Sequence, residues 1–105
     1  MGLFDLFKSN MITDEELSGL INDGAFLADV RTPGEFAAGS AKGAVNIPLD
    51  SVTAEIDKFK GKKHIVVFCR SGNRSSQAKQ ILESHGIENV TNGETVERVS
   101  HAQSI

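Results

Sequence analysis

Apolar and polar positions along this chain fall into short runs that switch between helical and strand-like spacing. Ile12 precedes Thr13-Asp14-Glu15-Glu16, a capping-box pattern with Thr13 as N-cap and Glu16 at N3. Ile12 and Leu17 can close a hydrophobic staple across that start. Leu17, Leu20 and Ile21 form the apolar face of the predicted helix, and Gly24 ends it. Residues 26–30 read as a short buried strand. Thr32 is a second N-cap, with Pro33 at N1 and Glu35 at N3, and Gly39 keeps this helix short. Residues 44–47 form a small strand stopped by Pro48. Asp50 is predicted to cap a helix carrying Val52, Ile56 and Phe59, closed by Gly61. The strongest strand covers residues 64–68. Beyond it Ala78, Ile81, Leu82 and His85 share a helical face, with Gly86 as C′ residue. A last strand is predicted over residues 87–91. Val96 and Val99 suggest one or two further helical turns, and the final residues look frayed.

Strands alternating with helices imply a parallel sheet covered on both faces, an α/β class. Ligands of such sheets sit beyond the carboxyl ends of the strands. Cys69 and Asp29 both fall at such ends, so the two are expected to share one crevice.

Composition narrows the field. At 105 residues and 39% hydrophobic, the chain is of single-domain size with enough apolar surface for a core. We expect one domain over residues 11–105, preceded by an apolar N-terminal arm over residues 1–10. The arm carries Leu3, Phe4, Leu6 and Phe7, but Asp5 interrupts a run already too short for a signal-peptide core. Gly2 invites a myristoylation reading, which Leu6 opposes, since a serine or threonine belongs there. No membrane partner is expected. The net charge of −3 argues against nucleic acid. A single cysteine can form neither an internal disulfide nor a thiolate metal site, and His64, His85 and His101 lack ligand spacing. No metal and no cofactor are expected. A lone free cysteine fits a reducing, cytoplasmic compartment.

The chemistry concentrates at Cys69. It ends an apolar run, and a small polar loop, Arg70-Ser71-Gly72-Asn73-Arg74-Ser75, leads into a helix expected to begin near Ser75 or Ser76. Loop N–H groups from Arg70 to Ser75 and the positive end of the helix both favour a thiolate. Arg70 and Arg74 are permanently charged and suit small oxyanions. Gly72 lets the loop fold tightly and Asn73 tolerates left-handed geometry. The same cradle would hold the charge of a persulfide, a thiosulfate or a phosphate. Spacing separates these: Cys69 and Arg74 are set as C-x4-R, one residue shorter than the C-x5-R of cysteine phosphatases, which suits sulfur better than a phosphoryl group.

These residues resemble the rhodanese family. The likeness is carried by DVRTPGEF (29–36), GAVNIP (43–48) and CRSGNRS (69–75), in the family's order, and covers roughly residues 11–93. It implies a rhodanese-like α/β fold with a central parallel sheet of about five strands. It also implies sulfane-sulfur transfer through a Cys69 persulfide. The donor would be thiosulfate, a persulfide or a polysulfide, and the acceptor cyanide or a thiol. By that likeness the amides of residues 70–75 stabilise the persulfide, and Arg70 and Arg74 orient the anion. Two departures stand out. Gly39-Ser40-Ala41 replaces the family's Gly-His-Ile, losing a packing or hydrogen-bonding residue. Asn92-Gly93-Glu94-Thr95 replaces a glycine pair, and the usual downstream tryptophan is absent, which reshapes the C-terminal cover and one rim of the pocket.

Plainer readings stand beside this one. Cys69 as a buried structural cysteine is one; Arg70 and Arg74 as solvated charges are another. Asp29 and Arg31 read as an ion pair or hydrogen-bond support beneath the loop, and Glu35 as a capping residue. His64 and His85 are poorly placed for a general base. Competing functions are a non-catalytic binding or persulfide-sensing module and, behind it, a cysteine phosphatase. A monomer or weak homodimer is expected.

Overall fold

The computed structural model describes residues 12–105. The N-terminal arm expected over residues 1–10 lies outside them. Four parallel strands, in the order β2-β1-β3-β4, form the sheet: β1 (Phe26–Asp29), β2 (Val45–Asn46), β3 (Ile65–Cys69) and β4 (Val90–Thr95). Among the described residues the helices are α1 (Asp14–Asn22), α2 (Pro33–Ala37), α3 (Asn73–Ser84) and α4 (Val96–Gln103). The expectation of about five parallel strands meets four among the described residues.

Strand β3 is buried along its whole length, as a central parallel strand should be. Its period-two alternation divides the core. Ile65, Val67 and Cys69 join Ala78 and Leu82 of α3, with Val52 and Phe59, on one face. Val66 and Phe68 join Leu17 of α1 and Val99 of α4 on the other. The helices thus cover both faces. The two capping boxes form as read: Thr13 and Glu16 exchange bonds at α1, and Thr32 and Glu35 do so at α2. Ile12 and Leu17 pack in the same cluster, as the staple requires.

Three elements depart from the sequence reading. The helix expected from Asp50 is absent; Leu49–Ser51 and Ile56–Phe59 are short 3-10 turns instead. Asp50 lies inside the first turn, Pro48 occupies the cap position, and neither turn has a side-chain cap. Burying Val52 and Phe59 is enough to fix this segment without a regular helix. The last strand starts later and runs further than residues 87–91. Ile87 is buried in the preceding turn, and β4 continues to Thr95 through a bulge: Val67 pairs with Asn92, but Phe68 pairs with Glu94, leaving Gly93 as the extra residue. Helix α4 is also firmer than the tail pattern suggests, because Thr95 caps it and Val99 and Ala102 are buried.

Gly93 shows why the bulge needs glycine. A Cβ there would lie 2.8 Å from Val66 Cγ1 and 3.0 Å from Val99 Cγ2. The close approach of β3, β4 and α4 leaves no room for one.

Candidate active site

The site lies at the carboxyl edge of the sheet, where β3 hands over to α3. Gly72 takes a left-handed φ of 98° as N-cap, so α3 begins at Asn73, earlier than the predicted Ser75 or Ser76. A glycine cap has no side-chain acceptor for the first orphan N–H groups of the helix. The cysteine supplies one: Gly72 N–H donates to Cys69 Sγ at 3.0 Å. Ser75 Oγ lies 3.4 Å from the same sulfur. Burial pushes the Cys69 thiol up. Hydrogen bonding with the Ser75 hydroxyl and with the amides of Ser75, Gly72 and Ser71 outweighs that, and the thiol ends below its ordinary range. Cys69 is fully buried, so its sulfur both packs in the core and meets the loop amides.

Arg70 is exposed and enters no ion pair among the described residues. Arg74 behaves differently. Its guanidinium grips Glu35 in a two-pronged bond, NH1 to Oε1 at 2.6 Å and NH2 to Oε2 at 3.1 Å. The Arg74 bonds, with help from the Thr32 amide, bring the Glu35 carboxyl down to about 2. Glu35 therefore has two tasks: it closes the α2 capping box, and it ties α2 to the cysteine loop.

At the end of β1, paired with Phe68 of β3, lies a buried carboxylate. Asp29 is fully buried, and Arg31 binds both its oxygens through Nε and NH2 at 2.8–3.1 Å. The Arg31 amide bonds Asp29 Oδ1, and Ser40 Oγ donates to Oδ2 at 2.7 Å. Ser40, expected as the loss of a packing or hydrogen-bonding residue, is thus a partner of the carboxylate, and Ala41 beside it is buried. Arg31 NH2 also reaches the Gly39 carbonyl, which pins the segment after α2.

Asn92 is a site neighbour that motif reading passed over. Its pairing with Val67 puts it on the same sheet face as Val67 and Cys69, and its Oδ1 accepts from Ser75 Oγ at 2.7 Å. Its one signal in the sequence was the asparagine where a glycine pair was expected. Glu94, next along, has a φ of 73°, a strained conformation for a side-chain-bearing residue. The Glu94 amide bonds Asn92 Oδ1 and its carboxylate pairs with Arg98.

A cavity of about 100 Å³ opens beside Arg74, lined by Arg31, Thr32, Pro48 and Asp50 among others. A larger one, about 700 Å³, lies at the amino edge near Leu20, Asp23 and His64, away from the cysteine. The small cavity borders the chemistry; the large one does not. Among the described residues no group of three His, Cys, Asp or Glu side chains is arranged to hold a metal ion. No helix among them is long and apolar enough to cross a membrane.

Comparison with known proteins agrees with this architecture. The chain is 34% identical over 85 residues to a sulfurtransferase of Allochromatium vinosum, covering 79% of each chain. It is 36% identical over 93 residues to a human thiosulfate:glutathione sulfurtransferase, covering 73% of this chain and 80% of that one. Among solved structures, a rhodanese with anions from E. coli superposes with a TM-score of 0.65 at 32% identity, covering 71% of this chain and 91% of that one. Such likeness supports rhodanese-type sulfur transfer in general terms. The rhodanese-like domain model matches residues 13–94, from the cap of α1 through the bulge of β4, and with that the chain belongs to the rhodanese family.

Proposed function

We propose that this protein transfers sulfane sulfur through a persulfide on Cys69. The Cys69 thiolate attacks the outer sulfur of thiosulfate, the S–S bond of the donor breaks, and sulfite leaves with the bonding pair. A persulfide or polysulfide donor would react in the same way and release a thiolate. The outer sulfur of the Cys69 persulfide is then taken by cyanide, giving thiocyanate, or by a thiol, giving a new persulfide. Either acceptor returns the Cys69 thiolate, so no external oxidant or reductant is consumed. The observation that carries this reading is the 3.0 Å bond from Gly72 N–H to the sulfur at the head of α3. Amides aimed at that point stabilise a negative charge on either sulfur of a persulfide.

In this scheme Arg70 draws the anionic donor to the loop, and Arg74, already bound to Glu35, shapes the loop and adds positive potential. Ser71, Asn73 and Ser75 provide the remaining wall. Asp29 and Arg31 are support. The printed name of the human relative makes glutathione a natural first acceptor to try.

The test is intact mass after exposure to thiosulfate, glutathione persulfide or polysulfide. The wild-type chain should gain one sulfur on its single cysteine. Cyanide or glutathione should remove it, and Cys69→Ser should gain none while keeping its circular dichroism. A wild-type protein that gains no sulfur from any of the three donors refutes the proposal. One observation favours a second reading, a persulfide-sensing or binding module: Cys69 is fully buried and Arg74 is already engaged. A chain that takes up sulfur but never yields it to cyanide or thiols would select that reading.

A further inference from the structure

The Ser75 hydroxyl has one proton and three acceptors around it. Asn92 Oδ1 is nearest at 2.7 Å, the Gly72 carbonyl lies at 3.1 Å, and Cys69 Sγ lies at 3.4 Å. Ser75 is fully buried, so no solvent competes for that proton. We infer that Asn92 is a positioning residue that competes with the cysteine sulfur for the Ser75 proton and thereby weakens ionisation of Cys69.

The geometry explains how. With its proton on Asn92, Ser75 offers the sulfur a lone pair. That arrangement suits an S–H donor and disfavours a thiolate. For Ser75 to donate to a thiolate it must give up its 2.7 Å partner. Asn92 is well held in its role: the Glu94 amide donates to the same Oδ1 at 2.9 Å, and the Asn92 amide nitrogen reaches the Gly72 carbonyl at 3.4 Å. Its pairing with Val67, just ahead of the bulge, keeps Asn92 on the face that carries Cys69. Neither amide nor hydroxyl changes charge, so the charged groups about the loop remain as they are when Asn92 is replaced. These are Arg74 on α3, Arg70 in the loop, Asp29 at the end of β1, Glu35 on α2 and Glu94 on β4.

The inference rests on the reading of Cys69 as a working thiolate, but its test does not. The chain has one cysteine and neither tyrosine nor tryptophan, so thiolate absorbance against pH reports Cys69 alone. Asn92→Ala removes the nearest acceptor and leaves the Ser75 proton between the Gly72 carbonyl at 3.1 Å and the sulfur at 3.4 Å; a charged thiolate is the stronger acceptor of the two, so the Cys69 pKa should fall by about half to one unit, the span of one hydrogen bond. In a Ser75→Ala background the same replacement should leave the pKa unmoved. A loop merely loosened by loss of Asn92 would instead raise the pKa. Asn92→Gly, read in the same way, covers the case in which the alanine variant does not fold. An unchanged or raised pKa in Asn92→Ala, or a fall that persists without Ser75, overturns the inference. Sulfur loading followed on the same proteins by intact mass bears only on the transfer reading, so the two failures are distinct.

Discussion

Replacing Gly93 with alanine tests the most crowded point of the fold. The new methyl would sit 2.8 Å from Val66 Cγ1 and 3.0 Å from Val99 Cγ2, well inside ordinary carbon contact. Both valines are fully buried, and β-branched side chains have little rotamer freedom with which to retreat. Forcing a methyl into such a site costs about 1–3 kcal/mol. Alanine gives back about 0.4–1 kcal/mol by restricting the unfolded chain. A net loss of about 1–2 kcal/mol remains, which in a domain of this size lowers Tm by about 5–15 °C. Without tryptophan or tyrosine, urea unfolding is best followed by far-ultraviolet circular dichroism. The midpoint should fall with an unchanged slope. Combining Gly93→Ala with Val99→Ala provides the sharper test. Each change alone destabilises, but together the methyl fills part of the space that Val99 vacates, so the pair should cost about 1 kcal/mol less than the sum. A Gly93→Ala midpoint equal to wild type, or strict additivity with Val99→Ala, would refute the packing argument.

Further outcomes follow from the polar groups. Asp29→Ala leaves the guanidinium of Arg31, itself largely buried, without its carboxylate; a loss of about 3–5 kcal/mol in urea unfolding is expected. Glu35 has its folded-state pKa depressed, so its contribution to stability is present above the ordinary carboxylate range and is lost as pH falls toward about 2. The Tm difference between wild type and Glu35→Gln should therefore be greatest near neutrality and shrink as pH drops from about 4.5 to about 2; a constant difference would count against the Arg74 pairing. Thr95 Oγ1 accepts from the Arg98 amide at 3.0 Å, and Thr95→Ala should cost about 1 kcal/mol, read from the same unfolding curves.

Much of the site was legible because its cause is local. A strand ending in cysteine, a left-handed glycine and the start of a helix occupy five consecutive residues, and no distant contact is needed to aim the Gly72 amide at the sulfur. The capping boxes at Thr13 and Thr32 span four residues each and formed as written. Local pattern misled at Asp50. The i, i+4 and i+7 spacing of Val52, Ile56 and Phe59 fits a helix, yet two 3-10 turns bury Val52 and Phe59 equally well. The β4 bulge was also invisible, because an extra residue is defined only against the partner strand.

Hydrophobic period, capping residues and the cysteine loop are each read within a few residues, so the amino-acid order alone determined the α/β class, most element positions and the loop that holds the candidate thiol. What only the tertiary structure decided is who meets that loop from elsewhere in the chain. Glu35 clasps Arg74 from 39 residues away, and Asn92 reaches Ser75 from 17 residues away. Those pairings depend on strand order and register, quantities set by packing the whole sheet at once, and no short window of sequence encodes them.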